Sequence, residues 1–324
     1  MKMKHNPWYL LKTSEEMNIN VMLADINHIL EFYWAKDSIG NLLFMLKLSN
    51  SACIPNRLPK LNGIDIDLNQ YQLQQQLIFK LKNVNDIEIF YTLCIDLMRS
   101  TGNYTAESKA IEVLFRRLNE WQYFLKNNKK IIDKQQLKGL IGELLFLNNY
   151  LLKFYSVPDA LTFWKAPLKS IHDFEVNDVT VEVKTKSSVN SIYISGYEQL
   201  FSNLEHLVLY VVTLNNSTEK TFNAFNIYTL IEEIKYKIRQ NNISNEEAFD
   251  NLLMQYGFIE LDEYNDYYFL LISDAFYEVT EIFPKISICP DGIEDIKYRV
   301  NLDKCKQFLT DNYFKQQGYE NGKH

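Results

Sequence analysis

The chain has 324 residues, of which 47% are hydrophobic and 23% charged, with only 7 prolines and 10 glycines. That length can bury the cores of two modest domains, and the scarcity of Pro and Gly excludes long disordered linkers. A formal net charge of −7 excludes a coat of nucleic acid through a broad basic surface, but leaves room for a nucleic-acid enzyme with local contacts.

The first eleven residues hold charge and only a short apolar patch, so no signal peptide is expected there. No apolar run approaches the roughly 20 residues needed to span a bilayer, and no membrane insertion is expected. Cys53, Cys94, Cys289 and Cys305 form no CxxC, and no His stands near them at zinc-site spacing. A reduced, cytoplasmic protein is the expectation.

Residues 1–104 read as a strand-rich region in which no chemistry is visible, a candidate recognition or partner-binding module. Residues 42–46 are a short apolar run between turn residues, the pattern of a buried strand. Pro55 and Pro59 punctuate a loop, residues 71–82 alternate in part, and residues 87–98 suit a buried helix. The second part is taken as residues 105–324 and opens with a helix over 105–125, where Ile111, Leu114, Phe115, Leu118, Trp121 and Leu125 recur at helical spacing. Lys126, Lys129, Lys130, Lys134 and Lys138 then form a basic run, either a solvated helix end or a local nucleic-acid contact.

A second helix is predicted over 133–154, with one acid, Glu143, in an apolar stretch flanked by Gly139 and Gly142. Two glycines inside a helix cost up to about 1 kcal/mol each, so close packing against a sheet is the expected compensation. Short strands are predicted at 161–164, 173–176, 179–184 and 191–194. A short helix at 197–204 and an apolar strand at 206–214 follow. Ser244 to Glu247 reads as a capping box that opens another helix. Strands at 267–273 and 293–301 and a last helix at 303–311 complete the pass. Tyr264, Tyr267, Tyr268, Phe269, Phe276 and Tyr277 are read as core packing rather than base-stacking residues.

The chemistry concentrates between His172 and Lys184. Glu182 and Lys184 are two apart on an alternating strand and share a face. The Asn177-Asp178 turn folds Asp173 back beside Glu182. Two carboxylates and an amine meeting this way suit metal-assisted phosphodiester hydrolysis, since carboxylates are hard ligands for Mg²⁺. The alternative for Glu182 and Lys184 is a surface ion pair, and for Glu143 a helix-surface glutamate.

The runs at 137–147, 164–167, 172–174, 181–185 and 194–200, with Trp121 upstream and pieces near 283–298, together resemble a bacterial family of PD-(D/E)XK proteins, DUF4420. The resemblance implies a restriction-endonuclease-like fold of the α/β (α+β) class, a mixed β-sheet core flanked by helices. It implies Asp173, Glu182, Lys184 and Glu143 as the catalytic set, with Asp173, Glu182 and Glu143 holding Mg²⁺, for which Mn²⁺ is an alternative. It also implies a DNA endonuclease of restriction or phage defence, working beside ATPase or methyltransferase subunits. A homodimer would supply two active sites for double-strand cutting. His172 stands where the motif usually has Pro, and is either a phosphate contact or a loop residue without a role. Gln199, Lys186 and Ser187 are candidate substrate contacts, with surface residues as the equal alternative. A non-catalytic DNA-binding or scaffold subunit, and a nuclease acting on RNA or repair intermediates, are the competing readings.

Overall fold

The structure is a computed structural model that describes residues 6–13, 18–71, 74–126, 132–240, 243–310 and 314. The chain forms two compact units, Met1–Lys130 with Ile259–Leu261, and Ile131–Phe258 with Asp262–His324.

In the first unit, β1 (Asn20–Leu23), β2 (Glu31–Lys36), β3 (Leu42–Ser49), β4 (Ile64–Tyr71) and β5 (Gln74–Leu81) build an antiparallel sheet in the order β1-β2-β3-β5-β4. Alternate residues put Phe32, Trp34, Phe44, Leu46, Leu77 and Phe79 on one buried face. Phe32 stacks on Phe44 at 5.1 Å, and Trp8 stacks on Phe90 of α1 (Ile87–Gly102) at 5.2 Å. The next helix, α2 (Glu107–Lys126), packs on α1. Asp96 of α1 receives Arg117 Nε at 2.7 Å, Arg117 Nη2 at 2.8 Å and Trp121 Nε1 at 2.6 Å. These bonds join α2 to the first unit, so the units divide after Lys130 and not at 104/105.

The second unit is built on a mixed sheet in the order β12-β10-β9-β7-β6. Its strands are β6 (Phe174–Val176), β7 (Val179–Lys186), β9 (His206–Ser217), β10 (Tyr268–Glu278) and β12 (Leu309–Thr310). The β7–β9 pair is parallel and the others antiparallel. A small antiparallel pair, β8 (Ser191–Ile194) with β11 (Tyr298–Asn301), stands apart. Register sorts the faces. Glu182 pairs with Leu209 and Lys184 with Val211. Leu209 and Val211 are buried in one cluster with Ile192, Ile194 and Val300, so the β8–β11 pair roofs that face. Tyr210, paired with Val183, faces Phe146 on the other side at 5.3 Å. Both faces of β7 are therefore covered, and Thr180 and Glu182 are each only 1% exposed.

The helix α3 (Lys134–Phe146) starts at an Asp133 capping box, widens into a π-turn at Leu147–Leu151 and ends as α4 (Leu152–Phe154). Residues 161–164, expected as a strand, are the end of a helix, α5 (Val157–Phe163), and Trp164 makes one bridge to Phe174. Ser156 caps that helix by accepting from Asp159 N, and Pro158 sits in its first turn, where a proline costs nothing. Two further helices are α6 (Ile227–Arg239) and α7 (Ile243–Tyr256); the expected Ser244 cap lies outside the described side chains. The expected helix at 303–311 is instead two 3₁₀ turns, Leu302–Lys304 and Lys306–Phe308, leading into β12. Buried Leu302, Cys305 and Phe308 recur every third residue, the period of a 3₁₀ turn rather than an α-helix. The helix expected at 197–204 is a 3₁₀ turn over Tyr197–Leu200, and the strand expected at 293–301 is confined to β11. Of the six aromatics expected in the core, Tyr264, Phe269, Phe276 and Tyr277 are buried, whereas Tyr267 and Tyr268 are only half-buried. Among the described residues no helix is long and apolar enough to cross a membrane.

Candidate active site

The β6–β7 hairpin places the first acids. Asn177 adopts the left-handed conformation (φ 56°) that a tight turn requires. Phe174 pairs with Val181, so one step further out Asp173 stands opposite Glu182. Val183 N donates to Asp173 Oδ2 at 2.7 Å, which ties the acid to the strand carrying Glu182 and Lys184. Lys184 Nζ lies 2.5 Å from Glu182 Oε1 and 3.2 Å from Gln199 Oε1. The same Gln199 oxygen accepts from Ser195 N and Ser195 Oγ, both at 3.1 Å, so the glutamine is held to the turn after β8.

Glu143 arrives from α3. A Cβ on Gly142 would lie 2.5 Å from Thr185 Cγ2 and 3.2 Å from Val183 Cγ1. Only glycine lets the helix approach β7 this closely, and the next residue is the acid. Glu143 is 5% exposed, and both its oxygens are bonded: Oε2 accepts from Trp164 Nε1 at 2.7 Å and Oε1 from the Tyr256 hydroxyl at 2.9 Å. A buried carboxylate needs such donors, since without them desolvation is costly. Glu143, Asp173, Gln199 and Tyr256 line one cleft of about 340 Å³.

Burial first, and Asp173 second, push Glu143 well above the carboxylate range. Burial raises Asp173 against the pull of Lys184. Burial and then Asp173 push Glu182 up to about 8. Burial alone would lower Lys184, but Glu182 and Asp173 outweigh it and raise its pKa. The physical content is a shortage of positive charge: three acids share one lysine. Glu182 Oε2 is buried with no hydrogen-bond partner among the described residues. Three carboxylates, an unbonded buried oxygen and a neighbouring cleft fit a hard divalent cation.

The remaining expected residues fall as follows. His172 is half-buried beside the carbonyls of Phe201 and Glu198, with Nε2 enclosed and unbonded, and burial lowers its pKa. Lys186 ends β7, half-exposed and without an ion pair among the described residues. Lys129 and Lys130 of the basic run lie outside the described residues. At the opposite end of β7, single ligand atoms of Asp178, Glu205 and His206 lie within 4.8 Å of one another, with Asp178 and Glu205 exposed. Sequence reasoning gave no role to Trp164 and did not single out Tyr256. The available signal was indirect: an acid in an apolar helix requires donors, but its neighbours in the chain do not say which.

A family model described as "Putative PD-(D/E)XK family member (DUF4420)" matches residues 5–303. Neither a curated protein nor a solved structure matches the chain.

Proposed function

The chain belongs to the DUF4420 family of PD-(D/E)XK proteins, with a nuclease-like fold, and from that premise we propose that it is a Mg²⁺-dependent endonuclease hydrolysing DNA phosphodiester bonds. The observation that carries the reading is the Glu182–Lys184 pair, buried on one strand with Asp173 opposite and Glu182 Oε2 left unbonded. A surface ion pair is solvated and needs no such enclosure, whereas Lys184 and Glu182 are 14% and 1% exposed.

Asp173 and Glu182 would hold the cation, with Glu143 as a further ligand or the holder of a bound water. Mg²⁺, or Mn²⁺ in its place, would neutralise charge on the scissile phosphate and make water a better nucleophile. Lys184 stays protonated between the acids. It orients water or stabilises the negative charge that develops at phosphorus. Gln199 Oε1 accepts from the Lys184 ammonium as a second partner beside Glu182. Gln199, Lys186 and His172 are the candidate contacts to substrate.

The biological setting proposed is restriction or phage defence in the cytoplasm, with ATPase or methyltransferase subunits as partners and a homodimer supplying the second cut. The first unit is then the candidate recognition or partner-binding module. The competing reading is a subunit that keeps the fold and binds DNA without cutting it. It is disfavoured by the complete set of three acids and a lysine, for which a binding subunit has no use.

The test is cleavage of unmethylated plasmid or phage DNA with Mg²⁺, alone and with proteins encoded beside this one. Wild type, Lys184→Ala and Asp173→Ala are compared, with EDTA as control and an RNA substrate in parallel. Cutting by wild type alone, abolished by EDTA, is expected. Undiminished cutting by either variant would sink the assignment.

A further inference from the structure

The basic run leaves two lysines on the described part of α3, Lys134 and Lys138, one turn apart. Each ammonium is held over an aromatic ring of the second unit: Lys134 Nζ lies 4.7 Å from the Tyr267 ring centre and Lys138 Nζ 5.5 Å from that of Phe269. Lys138 Nζ also donates to Ser187 Oγ at 3.3 Å, and Ser187 follows directly on β7, the strand of Glu182 and Lys184. Neither lysine makes an ion pair among the described residues, although the acids outnumber the bases by 41 to 34 in this chain. The neighbouring acid, Asp133, is engaged elsewhere: its Oδ1 accepts from Gln135 N and Gln136 N, both at 2.8 Å. Burial first, and the like charge of Lys134 second, lower the pKa of Lys138.

Two fixed cations with an adjacent hydroxyl, and no paired carboxylate among the described residues, form a site for an anion. Its position says which anion. Ser187 is three residues past Lys184, roughly 10 Å along an extended chain. We propose that Lys134, Lys138 and Ser187 bind the phosphodiester backbone of the substrate strand to one side of the bond to be cut. The inference rests on the nuclease reading for its substrate, but it is tested by binding alone. A chain with net charge −7 and an acidic centre repels a polyanion, and a local cationic anchor is what offsets this.

The experiment measures binding of short labelled duplex DNA, and of RNA of the same sequence, to the full chain over a series of salt concentrations. Ca²⁺ replaces Mg²⁺ to occupy the carboxylates. Wild type is compared with Lys134→Gln and with the double variant Lys134→Gln/Lys138→Gln. Lys134 is exposed, so its replacement leaves the fold intact, which circular dichroism checks. On whichever polymer is bound, the slope of log affinity against log salt is expected to fall by about 1 for Lys134→Gln and about 2 for the double variant. The polymer that shows the change identifies the source of the backbone. An unchanged slope in the double variant, or no binding of either polymer by wild type, overturns the site. Unchanged slopes with intact cleavage would remove the lysine site and leave the nuclease; altered slopes without cleavage would do the reverse.

Discussion

Glu143 keeps two donors, and each can be removed singly. Tyr256→Phe retains the ring and takes away only the 2.9 Å bond to Oε1. A buried acceptor left without a donor costs about 1–3 kcal/mol, so urea unfolding is expected to show a loss of that size. An unchanged midpoint would mean that solvent replaces the hydroxyl. The second residue-level expectation concerns pH. Glu182 stands at about 8 in the folded chain against its usual 4.5. Between those values the folded state holds a proton that the unfolded state has released. The stabilisation is complete below pH 4.5 and is lost as pH rises through about 8. In EDTA the melting temperature is therefore expected to be lower at about pH 8 than at about pH 6. A divalent cation is expected to stabilise more at the higher pH, where the carboxylate is free to bind it. A melting temperature that climbs over that interval without metal would contradict the burial of Glu182. The residues involved were partly legible: strand alternation put Glu182 and Lys184 on one face, but nothing local revealed that this face is roofed.

At the scale of elements, the two glycines of α3 part company. Gly142→Ala would force a Cβ to within 2.5 Å of Thr185 Cγ2, beside the strand position of Lys184. Overpacking of this kind costs about 1–3 kcal/mol and displaces β7, so both stability and cleavage are expected to fall. A Cβ on Gly139 meets only the Tyr256 hydroxyl, at an ordinary 3.8 Å. Gly139→Ala is therefore expected to be neutral or stabilising, by up to about 1 kcal/mol from helix propensity. Denaturant midpoints of the two variants check the contrast; equal losses would refute it. The sequence showed that glycines in a strong helix require a reason. It could not show that only one of them faces the sheet, because helical phase relative to a distant strand is set by packing.

For the whole molecule, the division of the chain is the consequential feature. Ile259–Leu261 belongs to the first unit although its neighbours on both sides belong to the second. Ile259 and Leu261 are buried at 4% and 6% exposure, Thr92 Oγ1 donates to Glu260 O at 3.2 Å, and Arg99 pairs with the Glu260 carboxylate. A fragment starting at Ile131 would strip these partners and expose the apolar pair. It is expected to run as aggregate on gel filtration, while the full chain does not. A monodisperse, folded fragment would show that Ile259–Leu261 is dispensable. A boundary at 104/105 followed from the change of pattern there, but the bonds of Arg117 and Trp121 to Asp96 override it.

By itself the sequence determined which acids and lysine of the β6–β7 hairpin stand together. Strand period and an Asn-Asp turn fix which side chains of a hairpin meet, and both act over a few residues. The tertiary structure alone decided what surrounds that set. Trp164 and Tyr256 come to Glu143 from 21 and 113 residues away, and β11 comes to roof the face of Glu182 from beyond β10. A buried carboxylate demands donors and a buried strand demands a cover, but neither demand specifies who meets it. That is settled only when the chain packs, because partners so far apart in sequence leave no periodic trace in one another.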